Sequence, residues 1–312
     1  MLPLLLQQGI VLARRLKKSS LLALAGFLAG CSHAVLDPAG DIARQQRDIV
    51  YISTGLMLLI IIPVIILIVL FAWRYRKGGR GTYDPAFDHS TGLELAIWAA
   101  PLLIIIALGA LTWSSTHLLD PFRPLPTKPG ERPLVVQVVS LDWKWLFVYP
   151  EEGIATVNEL VLPVDRPVRF DITSTNMMNA FYAPTLAGMI YAMPGMRSQL
   201  HAVLNREVES EGFSSNYSGR GFSGMRFRFR GVAAGTFDRW VSDAAGGEGA
   251  LDLASYRALL VPSENVPAQR FARIDPDLFR RILERCVEPG TTCLGDAMRA
   301  TGHAHPPGEP AP

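Results

Sequence analysis

Leu56-Met57-Leu58-Leu59-Ile60-Ile61-Ile62-Pro63-Val64-Ile65-Ile66-Leu67-Ile68-Val69-Leu70-Phe71-Ala72-Trp73 is followed at once by Arg74-Tyr75-Arg76-Lys77-Gly78-Gly79-Arg80. From Ile49 to Trp73 no side chain carries a charge, and a run of that length is enough to span a bilayer with some tilt. A second uncharged run, Leu95 to Thr116, has the same property, with Pro101 near its start where neighbouring helices can absorb the lost hydrogen bond. The four basic residues between the runs sit at a membrane boundary and mark the cytoplasmic side, which places both ends of the mature chain outside. Trp73, Tyr75, Trp98 and Trp113 fall near the helix ends as interfacial anchors. The expected hairpin occupies 49–118, with helices 49–73 and 95–116 and a cytoplasmic loop 74–94.

Upstream, Arg14, Arg15, Lys17 and Lys18 precede a short apolar run, Leu21 to Leu28, and then Ala29-Gly30-Cys31. A basic segment, an apolar stretch too short to span and a small-residue ending describe an export signal over 1–30. Leu28-Ala29-Gly30-Cys31 resembles the lipobox of bacterial lipoproteins, which implies acylation of Cys31 and a periplasmic segment 31–48. An outward-facing acylated Cys31 requires the same orientation as the positive loop.

Composition agrees with a chain divided between membrane and water. Of 312 residues, 49% are hydrophobic and 19% charged, too apolar for an ordinary soluble protein and too polar for a polytopic transporter. The formal charge of +2 is no electrostatic footprint for nucleic acid, so no nucleic-acid partner is expected. Three cysteines cannot build a disulfide scaffold or a four-thiolate metal site.

After the proline-rich exit Asp120-Pro121-Phe122-Arg123-Pro124-Leu125-Pro126 the pattern changes to short β-rich runs. Leu134–Ser140, Trp143–Tyr149, Val168–Thr173, Ser198–Leu204 and Met225–Gly231 are predicted strands of a β-sandwich or Greek-key barrel over 125–234. No glycine-rich turn supports nucleotide binding. A helical arm is predicted over 235–300, with Thr236 as a cap for its first helix. A clearer helix is predicted to start at Asp275-Pro276-Asp277, with Asp275 as N-cap and Pro276 first in the helix, and to run to Cys286. Cys286 and Cys293 enclose a Pro-Gly turn and suit a disulfide in an oxidising compartment, the alternatives being two thiols or a weak metal site. Residues 301–312 are a Pro- and Gly-rich tail predicted to be disordered, in which His303 and His305 are too few for a metal site.

Together these pieces resemble subunit II of the haem-copper oxidases. Leu141-Asp142-Trp143-Lys144-Trp145-Leu146-Phe147-Val148-Tyr149-Pro150 resembles that family's aromatic strand. Asn179-Ala180-Phe181-Tyr182-Ala183-Pro184 and Tyr191-Ala192-Met193-Pro194-Gly195-Met196 resemble the loop and strand that follow. The resemblance implies a transmembrane α-helical hairpin, an all-β cupredoxin-like Greek-key sandwich and a short helical C-terminal arm. Members that oxidise cytochrome c hold two coppers with two histidines, two cysteines, a methionine and a glutamate carbonyl, the second cluster spaced C-x-E-x-C-x-x-x-H-x-x-M. At those positions this chain has Asn179, Ser214, Asn216, Ser218, Phe222 and Met225. A hydroxyl does not replace a bridging thiolate and phenylalanine has no lone pair, so no metal is expected in this chain, and Met225 reads as a core side chain.

Loss of the ligands with retention of the strands resembles the quinol-oxidising, bo-type branch. The resemblance then implies a chain without catalytic residues or cofactors of its own, serving an enzyme that oxidises ubiquinol, reduces oxygen and pumps protons. Haems and one copper would lie in the partner subunit I, the main contact, alongside other small membrane subunits and lipid in the bacterial inner membrane. Glu94, at the cytoplasmic mouth of the second helix, is either a solvated helix end or, as the resemblance implies, a group at a proton-path entrance. Two rivals remain: a cytochrome c oxidase subunit II, and a stand-alone cupredoxin-like assembly lipoprotein. The missing ligands oppose the first; two long helices and no ligand set oppose the second.

Overall fold

A computed structural model describes residues 34–300, apart from 80, 83, 85–88 and 128 and the side chain of Arg299. The expected signal 1–30, Cys31 and the tail 301–312 lie outside the described residues. Two helices, α1 (Asp41–Arg74) and α2 (Thr91–Leu118), are long and apolar enough to cross a membrane. Their hydroxyl side chains bond back to carbonyls of the preceding turn, Thr112 to Leu108 and Thr116 to Thr112 at 2.8 Å, so they need no water along an apolar path.

Helix α1 is longer than its apolar run. Its 34 residues reach about 51 Å at the α-helical rise, against a hydrocarbon core of about 30 Å. The surplus is at its start, where Ile42 and Ala43 are buried and Ala39 and Ile42 join the core of the outer domain. The expected periplasmic segment 31–48 therefore belongs in part to that domain. The amides of Ala39 and Gly40 donate to the Thr185 carbonyl at 2.8 Å, and Asn205 donates back to Ala39 at 2.9 Å.

The outer domain is a sandwich of two mixed sheets. Its strands are β1 (Leu134–Leu141), β2 (Lys144–Tyr149), β3 (Ile154–Val157), β4 (Glu159–Pro163), β5 (Val168–Ser174), β6 (Asn179–Tyr182), β7 (Ile190–Ala192), β8 (Ser198–Ala202), β9 (Val208–Ser214) and β10 (Arg226–Val232). The arm adds α3 (Ala234–Ala245), β11 (Ala250–Leu251), α4 (Leu253–Leu260), β12 (Gln269–Phe271), β13 (Arg273–Ile274), α5 (Leu278–Leu283) and α6 (Leu294–Ala300). One sheet runs β12-β3-β2-β1-β5-β8 and the other β4-β10-β9-β6-β7. Between them Trp145, Phe147, Phe170, Phe181 and Phe227 interlock, with Phe181 and Phe227 stacked at 5.5 Å.

Strands β1 and β2 are buried on both faces, which is why Lys144–Tyr149 shows no polar alternation. The second face, with Val139, Leu146 and Val148, is covered by Leu251, Tyr256, Leu278, Phe279 and Ile282 of the arm. Burial raises the pKa of the Tyr256 hydroxyl well above the ordinary tyrosine value.

Four local expectations need correction. Trp143 is in a turn at φ 65°, because Asp142 and Trp143 alone link the β1–β2 hairpin; the strand starts at Lys144. The arm is not purely helical, since β12 extends the larger sheet by pairing with β3. Helix α3 is capped from Ala233, not Thr236, with Glu207 accepting from the Ala233 amide at 3.1 Å. Helix α5 begins at Leu278 and ends at Leu283, because Asp275 accepts from the Asp277 amide at 2.9 Å in a turn that holds Pro276 ahead of the helix.

Candidate functional site

The positions that a metal centre would need converge at one end of the sandwich, where β9 gives way to the loop leading into β10. Asn179 opens β6 and Ser214 ends β9, both buried and hydrogen-bonded: Ser214 Oγ donates to Asn179 Oδ1 at 3.0 Å. The Asn216 carbonyl is a second acceptor for that hydroxyl at 3.3 Å, and the Ala180 amide donates to Ser214 Oγ at 3.5 Å. Asn179 Nδ2 donates to the Met177 carbonyl at 3.3 Å, and Asn216 Nδ2 to that of Met178 at 3.1 Å. Phe222, in a 3-10 turn over Phe222–Gly224, meets Tyr217 edge to face at 5.6 Å. Met225 is fully buried in the core beside Phe227 and Phe181.

This set does not fit a two-copper centre. The hydroxyl and amide groups at Ser214, Asn179 and Asn216 are spent on one another and on the backbone, and none is a soft anionic donor. Ser218 is buried, and its Oγ has no hydrogen-bond partner among the described residues.

The loop is instead fastened by the arm, a feature invisible to ligand matching. Trp143 Nε1 donates to the Ser218 carbonyl at 2.9 Å, and the indole lies so close to Gly221 that a Cβ there would meet it at 2.5 Å. Arg220 pairs with Glu264 at 2.8 Å, and a Cβ on Gly224 would meet Asn265 Oδ1 at 2.5 Å. The same stretch of arm is gripped from below. Buried Lys144 donates to the Val261 carbonyl at 2.9 Å and to Ser263 Oγ, and Asn158 Nδ2 donates to the Val266 carbonyl at 2.8 Å. Desolvation lowers the Lys144 pKa, with Asp142 opposing the shift. Glu264 and Asn265 stand more than 40 residues from the loop they hold, with no sequence signal linking them.

Elsewhere, Glu94 is in the first turn of α2 with its Oε1 2.8 Å from His89 Nδ1, while His89 Nε2 lies 3.1 Å from Thr91 Oγ1. His89 is the partner the sequence did not single out. Cys286 and Cys293 are joined in a disulfide, Cα to Cα 4.7 Å. Glu284 lies beside them, with the three potential ligand atoms within 4.8 Å, but paired sulfurs cannot bind as thiolates.

Two family profiles match the chain: the periplasmic domain of cytochrome c oxidase subunit II over residues 151–232, and the COX aromatic rich motif over 246–290. Among curated proteins, the cytochrome bo(3) ubiquinol oxidase subunit 2 of Pseudomonas putida is 48% identical over 83% of this chain and 82% of its own length. That of Pseudomonas aeruginosa is 44% identical over 86% and 81%, and the ubiquinol oxidase subunit 2 of Acetobacter aceti is 44% identical over 85% and 86%. The chain belongs to the ubiquinol oxidase subunit 2 family. The aromatic rich motif of this subunit 2 family falls on the residues that cover β1 and β2 and reach the loop after β9. Of the sequence expectations, the helix pair, the cupredoxin-like sandwich and the family resemblance are borne out.

Proposed function

We propose that this chain is subunit II of a terminal ubiquinol oxidase, in which it is a non-metal-binding structural subunit. The observation that carries this reading is the interior of the degenerate ligand loop: Asn179, Ser214 and Asn216 satisfy one another where soft ligands would be required. Its relatives are named for ubiquinol, so the electron donor is a membrane-soluble quinol. Haems and a single copper then belong to subunit I, against which α1 and α2 pack with their exposed apolar side chains. The outer domain caps that subunit on the periplasmic side, other small membrane subunits complete the assembly, and acylated Cys31 adds a lipid anchor to the inner membrane. Glu94, held by His89, stands at the entrance of a proton path.

The test is oxygen uptake by membranes with and without this chain. Uptake driven by a short-chain ubiquinol, lost on deletion and restored by the full chain, supports the proposal. Uptake driven by reduced cytochrome c in its place would overturn it.

A further inference from the structure

Where the two helices meet the sandwich, a cleft of about 320 Å³ opens between the start of α1, the end of α2 and the exit segment 120–126. Its lining includes the charged Asp41, Asp120 and Arg123 together with His201, Leu118 and Met189. His201 is buried and its Nδ1 lies 3.1 Å from the Pro121 carbonyl, which can only accept, so Nδ1 carries the proton and Nε2 is the ring's remaining polar atom. The Arg123 guanidinium makes no ion pair or hydrogen bond among the described residues. Asp120 accepts from the Phe122 amide through Oδ1 at 2.9 Å, which leaves Oδ2 without a partner among the described residues. Phe122 is exposed beside it, as is Leu118 at the end of the apolar helix.

We infer that this cleft takes the headgroup of a phosphoethanolamine phospholipid, phosphate on Arg123 and ammonium on Asp120, with the acyl chains running down α2 past Leu118. The inference rests on the reading that α1 and α2 cross a membrane. A guanidinium suits a phosphate through charge-assisted, paired donors. Two carboxylates near one guanidinium disfavour a purely anionic ligand, whereas a zwitterion answers both signs. An ammonium with three N–H donors can also bond Asp120, which a quaternary amine cannot.

The test is native mass spectrometry of the delipidated oxidase complex containing the full chain, re-exposed to palmitoyl-oleoyl phosphatidylethanolamine. Wild type should retain one more such lipid than Arg123→Gln, with affinity reduced about tenfold in the variant. Asp120→Asn should lose the preference over palmitoyl-oleoyl phosphatidylglycerol, and Arg239→Gln on α3 should behave as wild type. Should Arg123→Gln fail to assemble, wild type decides alone: retention of phosphatidylethanolamine over phosphatidylglycerol and over dioleoylglycerol supports the site. Equal retention of all three lipids, or equal retention by wild type and Arg123→Gln, overturns it. Retention of soluble phosphoethanolamine together with no retention of the phospholipid also overturns it, since the ligand is then a free phosphoester. Quinol-driven oxygen uptake by the same preparation reports separately: uptake without phosphate-dependent retention sinks the lipid site alone, and retention without uptake sinks the oxidase reading alone.

Discussion

Gly40→Ala should loosen the membrane helix from the outer domain. Gly40 has φ −96° and ψ 156°, open to any residue, so glycine is needed there for space. A Cβ would stand 2.3 Å from the Leu186 carbonyl oxygen and 3.0 Å from that of Val203, both backbone atoms. Ordinary contact requires a retreat of about 1 Å, which stretches the 2.8 Å bonds from the Ala39 and Gly40 amides to Thr185 beyond hydrogen-bond range. Two such bonds are worth about 1–3 kcal/mol net, so local opening should become roughly 5- to 150-fold more frequent. Hydrogen exchange of amides 39–41 in the purified complex measures this. Gly55→Ala is the control, since a Cβ on Gly55 of α1 meets nothing within 4 Å. Exchange at 39–41 unchanged within twofold, or accelerated equally by Gly55→Ala, would refute the reasoning that this strap is tightly packed.

Ser214→Ala removes the donor to buried Asn179 Oδ1 and the acceptor for Ala180, and should lower the unfolding free energy of the outer domain by about 1–2 kcal/mol, read by denaturant titration, without altering copper content. The Lys144 pKa is depressed in the folded state, so the unfolded chain binds that proton more tightly; the resulting penalty holds below the depressed value and is relieved as pH rises toward 10.5. Arm docking, followed by protection of residues 261–266 from exchange, should therefore strengthen with rising pH in wild type relative to Lys144→Met. That difference is to be read below pH 10, because buried Tyr149 and Tyr256, whose pKa values are raised, lose stability above the ordinary tyrosine value. Cys286→Ser with Cys293→Ser should cost the arm about 2 kcal/mol from the short closed loop, seen as faster proteolysis after α5. Glu94→Gln should reduce quinol-driven proton release more than quinol binding, so that turnover falls several-fold with little change in KM.

The membrane helices were legible because bilayer length and the basic turn act on every residue of a long run. The strand over Val168–Thr173 was also legible, and in the structure it runs on to Ser174 with nearly all of its residues buried. The rest depended on distant partners. Val208–Ser214 reads as polar, yet Arg226 and Arg228 pair across to Glu211 and Glu209 and keep its charges on the outer face. Ile154–Pro163 is mostly apolar apart from Thr156, Asn158 and Glu159, and the left-handed Asn158, whose side chain accepts from the Trp145 amide, splits it into β3 and β4. Gln269–Phe271 has no strand signature and pairs as an edge because Arg270 reaches buried Glu159 at 2.9 Å. At the candidate site, residue types alone argue against copper ligation. What holds the loop in a metal's place came from Glu264, Asn265 and Lys144, whose roles exist only once the arm is folded over.

The most direct test of the central claim is the copper and haem content of the purified complex containing this chain. One copper per pair of haems is predicted, all of it retained by the complex when Asn179, Ser214 and Asn216 are each replaced by alanine. Three coppers per pair of haems, two of them lost on those replacements, would contradict it and place a metal centre in the loop after β9.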